Sequence, residues 1–224
     1  MPRSYFITGT DTGVGKTLAA SALLRGFTAQ GLRTVGMKPV ASGSMERSGE
    51  KFWDDVEQLQ AQSSLNVALE LRNPYRFDAP IAPHIAALHC GGRIDIAVIA
   101  QAYRRLEKQA DMVIVEGAGG FYAPLNETET MADLALQLKL PVILVVAMRL
   151  GCINQALLTQ RAIHDHGLEF AGWIANQTDP SMLAPDENLA SLEQRLHAPL
   201  LGVLPYLEPP SVQGALLHLY LERL

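Results

Sequence analysis

Cysteine is scarce: Cys90 and Cys152 are the only two in 224 residues. They form no Cys-x-x-Cys pair, which excludes a zinc framework and a disulfide scaffold, so both are expected to be free thiols. Positive charge is thin as well, with 18 lysines and arginines against 23 aspartates and glutamates and a net charge of -5. No basic block offers a track for a phosphodiester backbone, and nucleic acid is set aside as a main partner. Long apolar runs are missing too. The longest, residues 141–148, is too short to cross a bilayer as a helix and reads as a buried strand, so no membrane role is expected. The first strand is expected within a few residues of Met1, before any secretory leader could fit, which implies a cytoplasmic address. Internal repeats and low-complexity segments are absent. What remains, 48% hydrophobic and 18% charged, describes a soluble globular chain able to bury a full core as one α/β domain over residues 1–224.

The most informative stretch is Gly9-Thr10-Asp11-Thr12-Gly13-Val14-Gly15-Lys16-Thr17. It lies between an apolar run at 5–8 and a helix-like run at 18–27, so it reads as strand, glycine-rich turn, helix. Such a turn aims successive backbone N–H groups, and the positive end of the following helix, at one small volume suited to a phosphate chain. Lys16 can reach the terminal phosphates, and the Thr17 hydroxyl lies where a phosphate-bound Mg²⁺ would sit. The run is a P-loop with one departure: the first glycine of the usual pattern falls at Thr10, with Gly9 one residue earlier. Position 11, where some partitioning ATPases carry a second lysine that acts on a partner's phosphates, is Asp11, which argues against that mode of action.

Further along, residues 33–38 read as a strand that ends at Lys38, a position where open α/β sheets bind ligands. Residues 44–53 are polar, contain Gly49 and lack an apolar period, so a mobile loop is expected. Asp54 and Asp55 open a helix over 56–62; either carboxylate could serve the helix dipole or face a metal at Thr17. The proline-punctuated stretch 73–84 cannot continue a helix or a central strand and is expected as a shaped loop near the strand ends. His84 at its end reads as structural, with nothing nearby to pair with it. A helix over 96–109 leads into a buried strand, 111–116, whose final Glu116 is the acid that P-loop chemistry sets beside Mg²⁺. Gly117-Ala118-Gly119-Gly120 behind it permits close backbone approach to a ligand.

A helix over 131–140 and a buried strand over 141–146 follow. Leu150-Gly151-Cys152-Ile153-Asn154 then opens a helix whose free amides suit a substrate carboxylate, with Cys152 read as a packed residue. A strand over 170–176 ends in Asn176, whose amide can both donate to and accept from a purine edge. After it come a linker at 180–185, a helix at 187–196 and a last strand at 200–204 ended by Pro205-Tyr206. No carboxylate follows Asn176 until Asp179, so guanine selectivity is not specified and ATP is the expected nucleotide. Alternation of strand and helix implies an α/β, single-domain P-loop NTPase fold with a mainly parallel central sheet flanked by helices on both faces.

These residues together resemble the dethiobiotin synthetase family over nearly the whole chain. The resemblance rests on the P-loop, on Lys38-Pro39-Val40-Ala41-Ser42-Gly43, on Val115-Glu116-Gly117-Ala118-Gly119-Gly120, on Leu150-Gly151-Cys152-Ile153-Asn154 and on Ala175-Asn176. It implies an ATP- and Mg²⁺-dependent ligase of biotin biosynthesis that carboxylates 7,8-diaminopelargonate with CO₂ and closes the ring. Catalytic roles fall to Lys16 and Lys38, and Mg²⁺ to Thr17, Asp55 and Glu116. Nucleotide binding falls to Gly13, Val14, Gly15, Lys16, Thr17, Leu18, Asp55, Glu116, Gly117, Ala118, Gly119, Asn176 and Gln177. Pro205, Tyr206 and Leu207 join Asn176 around adenine. The diamine site takes Thr12, Lys38 and Ser42, with Gly151, Cys152, Ile153 and Asn154 supplied across a homodimer. Some members carry glutamate where this chain has Gly13, so any role of that acid is absent. The region after Pro209 matches the family poorly and contributes no residue. A regulatory P-loop switch, or a related ligase acting on a different diamine, is the alternative.

Overall fold

The computed structural model describes residues 4–224. In chain order the elements are β1 (Tyr5–Gly9), α1 (Lys16–Ala29), β2 (Thr34–Met37), β3 (Val40–Ser42), β4 (Met45–Arg47), β5 (Glu50–Phe52), α2 (Asp54–Gln62), α3 (Leu69–Arg72), β6 (Tyr75–Phe77) and α4 (Pro83–His89). They continue with α5 (Ile96–Glu107), β7 (Met112–Glu116), α6 (Met131–Leu138), β8 (Val142–Ala147), α7 (Cys152–Asp165), β9 (Phe170–Asn176), α8 (Pro185–Arg195), β10 (Leu200–Leu204) and α9 (Val212–Leu216), before a short 3₁₀ turn at Leu221–Arg223. Among the described residues no helix is long and apolar enough to cross a membrane.

Six strands form one parallel sheet in the order β10-β9-β8-β1-β7-β2. Every residue of β1, β7 and β8 is buried, as their unbroken apolar runs require when helices cover both faces. Alternation along β1 divides the core between those faces. Tyr5 and Ile7 pack with Leu23, Leu24 and Phe27 of α1. Phe6 points the other way, into a cluster with Ile99, Leu106 and Leu134 of α5 and α6. A third cluster sets Leu144 and Trp173 of β8 and β9 against α7 and α8. The register pairs Ile7 with Glu116 and Gly9 with Val145. The carboxyl end of β1 thus sits between those of β7 and β8, at the crevice where such sheets take ligands.

Two expectations are corrected. Residues 44–53 are a two-stranded antiparallel ribbon, β4 with β5, and not an unstructured loop. Ser48 and Gly49 both have positive φ, 54° and 82°, which is the backbone of a tight two-residue hairpin turn. The ribbon is held by side chains that point outward: the Arg47 guanidinium lies 4.1 Å from the Phe52 ring centre and Lys51 pairs with Asp78 at 2.6 Å. A search for an apolar period passes over such pairs. In the proline-rich stretch, β6 pairs in parallel with β3. Its three residues lie between Pro74 and Pro80, and the Tyr75 N–H reaches the Pro39 carbonyl at 3.1 Å, so the prolines bracket the strand without interrupting it. The chain after Pro209 adds α9, capped by the Ser211 hydroxyl, which accepts from the Gly214 N–H at 3.1 Å; its Ala215 joins the core beneath α1.

Candidate active site

The P-loop begins at the end of β1 and closes at Gly15, whose φ of 91° lies in the left-handed region. No side chain caps α1, so the amides of its first turn remain free to meet an anion. Gly15 is also constrained from behind. Asn176, at the end of β9, donates from Nδ2 to the Val14 carbonyl at 2.9 Å, and a Cβ on Gly15 would collide with that amide. Gly9 is confined in the same way by Val14 and the Lys16 stem. Gly9 therefore does the work of the glycine missing at position 10, because the tight contact falls one residue earlier than in the usual pattern.

Lys16 is buried and donates from Nζ to the Asp11 carbonyl at 2.8 Å, so the loop cradles its own lysine. Burial, then the charge of Lys38, lowers the Lys16 ammonium to about 8, against the pull of Glu116, Asp11 and Asp55. Asp11 fixes the outer side of the loop: it accepts from the Thr12 N–H at 2.7 Å and pairs with Arg149 at 2.9 Å.

Lys38 is the centre of the site. It is buried, not exposed at a strand end, with Nζ 2.6 Å from Glu116 Oε1 and 2.8 Å from Asp55 Oδ2. Thr17 Oγ1 donates to the same Glu116 Oε1 at 2.9 Å. Burial alone would lower the Lys38 pKa, but the Glu116 and Asp55 carboxylates outweigh it and hold the ammonium above its ordinary value. Thr17, Asp55 and Glu116 thus converge from α1, α2 and β7, whereas Asp54 faces Gln58, accepting from its amide at 2.6 Å. The set is all oxygen, and Glu116 Oε2 is buried without a hydrogen-bond partner. That donor set fits a hard divalent cation that keeps waters and phosphate oxygens as its remaining ligands. No group of three or more His, Cys, Asp or Glu side chains that could hold a metal ion occurs among the described residues.

A cleft of about 700 Å³ opens in front of these groups. Thr12, Gly13, Gly15, Lys16, Thr17, Lys38, Ser42, Asp55, Glu116, Ala118 and Gly119 all line it, so the P-loop, lysine, carboxylate and Thr12/Ser42 candidates meet at one surface, whereas Val14, Leu18, Gly117, Asn176, Gln177 and residues 205–207 lie outside its lining. The far wall is residues 80–83 with Ala123 and Pro124. The sequence signalled the first part of that wall through its prolines and gave no sign of the second. Ser42 Oγ is buried with no protein partner. Asn176 stands beside Leu204, the two strand ends being in register, and the Gln177 N–H bonds the Leu204 carbonyl at 2.9 Å; Pro205, Tyr206 and Leu207 leave from there. The segment at Gly151–Asn154 does not line this chain's own cleft. Cys152 is buried and packed with Trp173 and Ala156, Gly151 and Asn154 are exposed, and Leu150 is 98% exposed. Asn73 was not singled out in the sequence. Wholly buried, it donates to the Lys38 carbonyl at 2.6 Å, and a lone asparagine before a proline carries no local sign of that contact.

A family model described as an AAA domain matches residues 3–212. The chain is 55% identical over 206 residues to the ATP-dependent dethiobiotin synthetase BioD of Nitrosospira multiformis, a match that covers 92% of this chain and 89% of that one. It is 52% identical over 218 residues to the enzyme of the same name from Aromatoleum aromaticum, covering 96% and 97%. Among solved structures, the signal recognition particle receptor FtsY of Elizabethkingia anophelis aligns with all of this chain at a TM-score of 0.54 and 17% identity, and the chain spans 65% of that receptor's length. The septum site-determining protein MinD of Pyrococcus horikoshii, solved with Mg-ADP, aligns at 0.57 and 16% identity over 99% of this chain and 88% of that one. At such low identity the structural likenesses carry the fold alone, an α/β P-loop architecture.

Proposed function

The chain belongs to the ATP-dependent dethiobiotin synthetase family, and on that premise we propose how the P-loop cleft carries out the family's reaction. One amine of 7,8-diaminopelargonate adds to CO₂ and loses a proton to give a carbamate. A carbamate oxygen takes the γ-phosphoryl group of ATP, releasing ADP. The second amine then attacks the carbonyl carbon, phosphate leaves, and the cyclic urea of dethiobiotin closes. Carbamate and γ-phosphate are both anionic, so the reaction needs positive charge held between them. The observation that carries the reading is the meeting of Lys16 and Lys38 with Thr17, Asp55 and Glu116 at the mouth of the P-loop.

In this reading the α1 amides and Lys16 hold the β- and γ-phosphates. Lys38 faces the gap between γ-phosphate and carbamate and offsets their repulsion as the phosphoryl group crosses. Thr17, Asp55 and Glu116 would hold Mg²⁺, which when bound neutralises phosphate charge. Thr12 and Ser42 line the diamine pocket, the Ser42 hydroxyl being free to take a hydrogen bond from substrate. Asn176, Gln177 and Pro205–Leu207 surround adenine, a role favoured by the adjacency of the β9 and β10 ends. Gly151–Asn154 receives the substrate carboxylate of a second subunit. The exposure of this segment outside its own cleft supports that assignment, as does Leu158, one turn beyond Asn154 on the same helix face and 64% exposed.

The test is phosphate release. Turnover of ATP should require both the diamine and bicarbonate, with Mg²⁺ present. Hydrolysis that proceeds unchanged without either small molecule would point to a regulatory switch and overturn the ligase reading.

A further inference from the structure

The Lys38 ammonium lies between the two carboxylates proposed as metal ligands, in contact with one oxygen of Asp55 at 2.8 Å and one of Glu116 at 2.6 Å. Thr17 Oγ1, the third proposed ligand, turns its hydrogen onto the same Glu116 oxygen that Lys38 holds. Each carboxylate is therefore already in contact with a cation built into the chain. The local count is even: Asp55 and Glu116 are balanced by Lys38 and Lys16, with Glu116 and both lysines nearly inaccessible to water. A divalent cation entering this site alone would face an adjacent ammonium in poorly screened surroundings, with no anion to offset it. Nucleotide supplies that anion.

The backbone of Lys38 cannot follow its side chain. Its N–H bonds the Arg72 carbonyl at 2.8 Å, and its carbonyl accepts from buried Asn73 at 2.6 Å. Any motion of the charge is confined to the four-carbon stem, whose ammonium stands at the edge of the same cleft as Lys16 and the P-loop.

We propose that Lys38 is a tethered counter-cation: in the nucleotide-free protein it holds Asp55 and Glu116 and keeps free divalent cations out, and it swings to the γ-phosphate only when nucleotide and metal enter together. The proposal rests on the reading of Thr17, Asp55 and Glu116 as the metal ligands. It makes loading of the site obligatorily joint, and it links arrival of the metal to release of the lysine needed for phosphoryl transfer.

Mn²⁺, followed by electron paramagnetic resonance on the full chain, tests this without turnover. In the absence of nucleotide the wild type should bind Mn²⁺ weakly. Lys38→Met, which keeps most of the stem and removes the charge, should bind it about tenfold more tightly or better, because Asp55 and Glu116 lose the one ammonium that contacts both of them. Lys38→Arg should remain as weak as wild type, and Lys38→Met combined with Glu116→Gln should lose the gain. Equal Mn²⁺ affinity in folded Lys38→Met and wild type overturns the proposal, as does a gain that survives Glu116→Gln. A second measurement needs no variant: the ion-paired Lys38 ammonium, observed by ¹⁵N magnetic resonance, should keep its signal with millimolar Mg²⁺ alone and shift with Mg²⁺ plus a non-hydrolysable ATP analogue. A shift with Mg²⁺ alone overturns the proposal. The two readings fail differently. If Mn²⁺ bound together with the analogue is indifferent to Glu116→Gln, the metal assignment itself is wrong; if it depends on Glu116 while Lys38→Met gains nothing, only the exclusion is wrong.

Discussion

Lys16 is a cation kept in a place that does not suit it. Burial and the neighbouring Lys38 lower its pKa to about 8, and its one fixed partner is a carbonyl of its own loop. Such a residue contributes little to folding, and in the proposed function its counter-charge comes from the phosphate chain. Lys16→Ala should leave the thermal midpoint unchanged or slightly raised. Turnover should fall on the order of a thousandfold, the usual scale for removing one charge from a phosphoryl-transfer site. Steady-state kinetics beside a melting curve checks both halves; retention of half the wild-type rate would remove Lys16 from the phosphates. Gly15 belongs to the same scale: positive φ and contact with Asn176 leave no room for a side chain, so glycine there serves the loop's shape as much as access for ligand.

Between elements, the beginnings of β2 and β7 are clipped together by one carboxylate. Asp111 accepts from the Arg33 backbone N–H at 2.9 Å and from its guanidinium at 2.7 and 3.1 Å. Hydrogen bonds from the Arg33 side chain and then from its backbone hold the Asp111 carboxyl at about 2, below its ordinary 3.8. A carboxyl whose folded pKa is depressed contributes stability that is fully present above the unfolded value and is lost as pH falls through the folded one. The contribution of Asp111 should therefore be complete above about pH 4 and gone below about pH 2. Asp111→Asn is expected to melt below wild type at pH 5, with the gap narrowing as pH approaches 2. Thermal melts of both proteins across that range measure it, and a gap independent of pH would show that the ion pair is not the cause. The clip matters to the site because the register it supports carries through β2 and β7 to Lys38 and Glu116 at their other ends.

For the whole molecule, the outward stripe of α7 is the feature that a single chain does not use. Asn154 and Leu158 lie four residues apart on one face, next to Leu150, and all three are exposed. In the proposed homodimer this stripe meets the partner and delivers Gly151–Asn154 to its cleft. Leu158→Glu should then convert the dimer to monomer in size-exclusion chromatography with light scattering. Turnover with the diamine should drop while nucleotide affinity persists, because the P-loop belongs wholly to one chain. A wild-type protein that is monomeric at micromolar concentration, or a Leu158→Glu variant that remains dimeric and active, would count against the interface.

Much of this protein was settled by local rules and could be read along the chain. The P-loop is legible because its glycines, lysine and threonine act within nine consecutive residues, and the parallel sheet because its buried strands are unbroken apolar runs between helical spacings. Glu116 could be singled out as a candidate from its place at the end of such a run. The Ser48-Gly49 turn was equally local, yet it was hidden by strands whose pairing is polar. Tertiary structure decided the rest. That Lys38 meets Glu116 across 78 positions, and Asn176 reaches Val14 across 162, depends on which strands lie side by side and in what register. Those choices are made by burial of the whole core, and no window of the sequence contains them. The charge state of the site has the same origin, because Lys16 and Lys38 become a low and a raised ammonium only when folding removes water and sets one beside a carbonyl and the other between two carboxylates.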